Sequence, residues 1–125
     1  MAKRQKFNVA FRIWFFNGEE KLLGKGRVEL LERIRRTGSI TNAAKEMQMS
    51  YRQAWQMVTE MNERSRVPLV EKKLGGKSGG GAMVTEAGEK AIYHFRKFED
   101  DVSKFINAKI ANIKLKFFLD IHIHL

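Results

Sequence analysis

The sequence predicts a mostly α-helical fold with small β-hairpins, and three stretches carry that reading. From Gly38 to Gln56, two serines, Ser39 and Ser50, each stand as an N-cap ahead of apolar residues at helical spacing. A glycine-rich run, 75–81, separates two short segments of strand-forming composition. Ala91, Phe95, Phe98, Val102 and Phe105 recur at spacings of 4, 3, 4 and 3, the a/d seam of a coiled coil, which packs either on the chain's own domain or, as three phenylalanines on a protruding helix favour, on a second copy. Two angled helices, a glycine-tipped hairpin and a long last helix compose a winged helix-turn-helix, here with an N-terminal β-hairpin and a C-terminal dimerisation helix.

Taken in order, Val9, Phe11, Ile13 and Phe15 alternate with Ala10, Arg12, Trp14 and Phe16, a period-two pattern rich in strand formers. Asn17-Gly18 follows, a strong hairpin signal, and Glu19 to Leu23 supplies the return strand. Gly24 and Gly26 break the chain before an amphipathic helix carrying Val28, Leu30, Leu31 and Ile34. That helix ends at Thr37 with Gly38 as a left-handed terminator, and its outer face shows Arg27, Arg33, Arg35 and Arg36.

The next helix sets Ile40, Ala43, Ala44 and Met47 on one face, and the two alanines let another helix cross close by. The turn falls near Gln48 and Met49. Ser50, with Gln53 three residues on, opens the following helix as a capping box. Ala54, Trp55, Val58 and Met61 form its apolar stripe, which makes Trp55 a core residue in this reading. Arg52, Gln53, Gln56, Thr59 and Glu60 lie on the other face. Pro68 enforces a stop. Leu69 to Leu74 and Ala82 to Val84 then flank the glycine loop as strands, and Thr85 caps a helix running to about Lys109. In the ending, Ile113, Leu115, Phe117, Leu119, Ile121, Ile123 and Leu125 alternate with polar residues, which predicts an added strand that could pair with the N-terminal hairpin. The expected division is a winged helix-turn-helix domain over 7–109, including the seam helix 85–109 through which it would dimerise, and a tail over 110–125.

At 125 residues the chain makes one domain with a small core. No apolar run approaches the ~18–20 residues that span a membrane. The basic start, Met1 to Lys6, lacks an apolar stretch and a cleavage site, so no signal peptide is expected there. Cysteine is absent, which removes disulfides, thiolate catalysis and thiolate metal sites. A cytoplasmic protein fits best. The net charge is +10 and unevenly placed. Residues 1–36 hold ten basic and four acidic groups, residues 50–81 six and three, and residues 82–109 five of each. A basic field confined to one part of the chain favours a polyanion partner.

Enzymatic readings fare poorly. Gly76-Lys77-Ser78 resembles the end of a phosphate-binding loop, but Glu71 stands where such a loop needs its first glycine, and three further glycines follow instead of a helix. As a wing tip the same residues offer close backbone approach, a charge and a hydroxyl to phosphate. His122 and His124 would share a strand face without a third ligand, and His94 stands mid-helix without a partner. No Ser/His/Asp set or paired-carboxylate motif emerges, so neither enzyme activity, nor a cofactor, nor a metal is expected.

Gly38-Ser39-Ile40 with Ala43-Ala44, Leu69-Val70 and Thr85-Glu86-Ala87-Gly88 resemble the N-terminal domain of LysR-type regulators. Ser50-Tyr51-Arg52-Gln53-Ala54-Trp55, the run Gly75 to Ala82 and a strand pair ahead of the first helix narrow the resemblance, over residues 11–106, to the DNA-binding domain of molybdate-responsive, ModE-type regulators. The resemblance implies double-stranded DNA binding by a homodimer. Its second motif helix reads the major groove, its wing touches backbone or minor groove, and its long helix dimerises. On this chain the base-reading positions are Ser50, Arg52, Gln53 and Gln56. Ser39, Thr41, Tyr51, Lys72, Lys73, Lys77 and Ser78 take the phosphate backbone, and Ala91, Phe95, Phe98, Val102 and Phe105 form the dimer seam. Oxyanion-sensing modules usually follow such a domain. This sequence ends soon after the long helix, so molybdate binding is not carried over, and residues 110–125 have no counterpart. The competing reading is a winged module for protein interaction, to which Glu60 and Glu63 lend weight because acids repel phosphate.

Overall fold

The computed structural model describes residues 7–73 and 81–122. Asn17-Gly18 turns the first hairpin, with Gly18 at φ 64 where a side chain would be strained. Strands β1 (Trp14–Asn17) and β2 (Glu20–Gly24) pair antiparallel, from Asn17↔Glu20 to Trp14↔Gly24. The alternation that begins at Val9 is not strand before Trp14. Its partner ends at Gly24, because helix α1 (Lys25–Thr37) starts immediately and leaves no opposing backbone.

Helix α1 buries Val28, Leu30, Leu31 and Ile34, the expected stripe, and ends in a left-handed Gly38 whose N–H donates to the Ile34 carbonyl at 2.8 Å. In helix α2 (Ile40–Glu46), the Ser39 hydroxyl accepts the Asn42 N–H at 3.0 Å. Ala43 and Ala44 are buried, as close crossing requires. Gln48, at φ 57, makes the turn. The Ser50 hydroxyl then accepts the Gln53 N–H at 3.1 Å to start helix α3 (Tyr51–Ser65). Strands β3 (Val70–Lys73) and β4 (Gly81–Val84) pair antiparallel from Val70↔Val84 to Lys73↔Gly81. Thr85 accepts the Gly88 N–H at 3.1 Å at the head of helix α4 (Glu86–His122).

Two junctions fix the wing. Asn62, near the end of α3, accepts the Leu69 N–H at 2.8 Å and donates to the Val70 carbonyl at 3.0 Å, tying helix to strand. The Ala82 N–H donates to the Gly38 carbonyl at 2.9 Å, and a Cβ on Gly81 would lie 2.5 Å from that same oxygen. Only glycine lets β4 lie this near the α1–α2 turn.

Three expectations need correction. Trp55 is 48% exposed, not core. The buried stripe of α3 is Ala54, Val58 and Met61, and Trp55 stands one residue, about 100°, around the helix from Ala54. Next, residues 113–122 are helical, not strand. Phe118 breaks their alternation, and no glycine or proline follows Gly88 to stop the helix. Finally, the proposed seam divides. Phe95 is fully buried against its own domain, its ring 5.1 Å from that of Phe15, and Ala91 packs on the same core. Phe98 and Phe105 remain 50% and 65% exposed.

Residues 12–96 make one compact unit and residues 7–11 with 97–122 another, a division well before 109. In the second unit, the Phe7 ring lies 5.9 Å from those of Phe117 and Phe118. The N-terminal segment thus meets the end of α4 through aromatic rings.

Candidate nucleic-acid interface

Helix α3 turns three faces outward from its axis. One is the buried stripe. A second carries Arg52, Gln53 and Gln56, all exposed, on the first turns after the Ser50 cap. The third carries Tyr51, Trp55 and Thr59, at i, i+4 and i+8, and looks toward the wing strands.

Between this third face and the wing lies a cleft of about 390 Å³. Its polar rim brings together Ser39, Thr41, Tyr51, Lys72 and Lys73, five of the residues expected on backbone. Val58, Val70 and Ala82 form its floor. Lys77 and Ser78, expected at the wing tip, lie outside the described residues. Ser50 spends its hydroxyl on the helix cap, which leaves it a weaker candidate for reading a base.

Ion pairing decides which of the many cations are left for a ligand. Arg33 bridges Glu29 at 2.8 Å and Glu46 at 2.9 Å, Arg36 also pairs with Glu46, and Arg35 reaches Glu89 at 2.8 Å. Donating hydrogen bonds to Glu29 and Glu46 raises the Arg33 pKa, and the hydrogen bond accepted from Arg33, followed by that from Arg36, holds the Glu46 carboxyl below its usual range. That depressed value means these contacts support the α1–α2 pair at neutral pH and fade as pH falls through it. By contrast Arg52, Lys72 and Lys73 make no ion pair among the described residues.

Of the two acids that weighed against DNA, Glu60 is neutralised internally, whereas Glu63 stands exposed with no ion pair among the described residues. Glu60 receives Arg27 at 2.5 Å and Arg64 at 3.5 Å, and the Gln56 amide donates to it at 3.3 Å. Arg27, expected on an outer face, instead binds Glu60 and the Lys21 and Leu22 carbonyls. Two features of this region escaped sequence reasoning: the Asn62 splice and the exposed Trp55. The Tyr51, Trp55, Thr59 spacing was the signal for the latter.

Part of the chain is similar to known proteins. Over 93 residues, 74% of this chain, it is 45% identical to the molybdenum-pterin-binding protein MopB of Rhodobacter capsulatus, covering 34% of that protein. It is 46% identical over 66 residues to the DNA-binding transcriptional dual regulator ModE of Escherichia coli K12, covering 53% of this chain and 25% of that one. The molybdenum transport protein ModE of Azotobacter vinelandii is 40% identical over 77 residues, 62% of this chain and 28% of that one. The chain thus spans about a third or less of the length of these relatives. Among solved structures, a BenM DNA-binding domain in complex with catB site 1 DNA superposes with a TM-score of 0.52 at 15% identity, covering 71% of this chain and 92% of that one. A Staphylococcus aureus MepR–DNA complex gives 0.52 at 14%, covering 82% and 77%. Both likenesses establish the winged-helix fold. Residues 26–89, more than half of the sequence, match the bacterial regulatory helix-turn-helix proteins of the lysR family, and the chain belongs to that family.

Proposed function

We propose that the chain is a sequence-specific DNA-binding transcriptional regulator of the cytoplasm that acts as a homodimer. The observation that carries this is the adjacency of two surfaces, one on α3 and one between α3 and the wing. Arg52, Gln53 and Gln56 stand exposed beside a cleft rimmed with hydroxyls and the two lysines Lys72 and Lys73. The first set suits base edges, since arginine fits guanine and glutamine fits adenine in the major groove. The second suits phosphates, which position the protein without reading sequence. The relatives support the reading, one being named a DNA-binding transcriptional dual regulator. The molybdenum in other relatives' names belongs to longer proteins, of which this chain matches about a third or less.

An electrophoretic mobility shift on genomic fragments, with competitor DNA present, tests the proposal. A retained complex on some fragments supports it, and equal competition by all DNA refutes sequence specificity. Two variants separate the roles. Arg52→Ala is expected to weaken the preferred site by about 1–3 kcal/mol and relax preference at one position. Lys72→Ala is expected to weaken all duplexes alike and reduce the salt slope by roughly one. Titrations at several salt concentrations on preferred and scrambled duplexes measure both.

A further inference from the structure

We infer that Trp55 is a DNA-contact residue that packs its indole on the deoxyribose of one strand lying in the cleft between α3 and the wing. The inference rests on the DNA-binding reading and assigns a residue that reading leaves unused. Trp55, 48% exposed, lines the cleft beside Tyr51, itself 52% exposed, so two aromatic rings gather at one concave site rather than standing singly on the surface. The chemistry around it points to one occupant. Tyr51 and Thr41 offer hydroxyls, and Lys72 and Lys73 offer ammonium groups, against a single carboxylate, Glu71, on the described lining. Those groups complement phosphate. An indole face does not bind phosphate, but it packs well on the C–H face of a sugar. A sugar-phosphate strand presents both surfaces in alternation, which matches apolar wall and polar rim.

Position on the helix argues against base contact. Arg52, Gln53 and Gln56 point from another face of α3, so a duplex engaged by them turns its backbone, not its base edges, toward Trp55. Burial argues against a folding role, since Ala54, Val58 and Met61 fill the core side of the helix.

The test uses the wild type, Trp55→Ala and Trp55→Phe on a duplex the wild type binds. Trp55→Ala is expected to keep the wild-type melting temperature and to lose about tenfold in affinity on preferred and scrambled duplexes alike, because every nucleotide carries the same sugar and sugar contacts carry no sequence information. The sequence has two tryptophans, so the DNA-induced change in emission should be present in the wild type and absent in Trp55→Phe. Unchanged affinity of Trp55→Ala, or an equal emission change in Trp55→Phe, overturns the inference. So does a loss restricted to thymine-containing sites that uracil substitution reproduces, since that would make Trp55 a methyl reader. Should Trp55→Ala melt early, the emission comparison decides alone. Failure of the wild type to bind any duplex removes the regulator reading, and this inference with it.

Discussion

Phe95→Ala is expected to destabilise the protein by about 3–5 kcal/mol, the cost of truncating a large core side chain. Phe95 is fully buried, and its ring meets Phe15 from the first hairpin. It therefore joins α4 to the hairpin within the 12–96 unit. Losing it opens a cavity where α4 meets the hairpin, and a domain this small has little stability to spare. Thermal or urea unfolding measures the loss. A drop below about 1 kcal/mol would mean the site collapses around the missing ring, and the core assignment would fail. The comparison with Trp55→Ala is informative, since the two aromatic residues exchange the roles their spacing suggests.

Phe98→Glu is expected to abolish pairing and, through it, most DNA affinity. A single winged domain touches few base pairs, too few to single out one site in a genome. Two domains related by a twofold axis double the contacts and impose a spacing. With Phe95 and Ala91 committed to the domain core, the proposed seam falls on Phe98, Val102 and Phe105; the same spacing next meets Lys109, Asn112 and Lys116, so its aromatic part ends at Phe105. A glutamate at 98 would place a charge in this seam on both chains. Sedimentation should then show monomers, and binding should weaken by orders of magnitude. A variant that stays dimeric would remove Phe98 from the interface.

Local signals were the most legible in the sequence. Both serine caps, the threonine cap, the Gly38 terminator and the Asn17-Gly18 turn stand where their chemistry placed them, because each is settled within a few residues. Choices between two apolar environments were not. A 4-3-4-3 stripe looks the same whether it faces its own domain or a partner, so Phe95 could not be told from Phe98. Trp55 lies next to Ala54, and whether the stripe passes through one or the other depends on where the wing sits. That is a long-range contact, made by Asn62 and the Gly38 carbonyl. The alternation over 113–121 promised a strand, but a strand needs a partner, and a helix already running from Glu86 needs none. Within the site, the groups on the cleft rim were individually legible. The pairing of Glu60 with Arg27 and Arg64 was not, since it joins residues far apart in sequence.

Selection of bound sequences from a random DNA pool tests the central claim most directly. The account predicts enrichment of an inverted repeat whose half-sites lie about one helical turn (~34 Å) or a multiple apart. Arg52→Ala should relax one position in each half-site. A pool that returns no common sequence, while the protein still binds DNA, would contradict it.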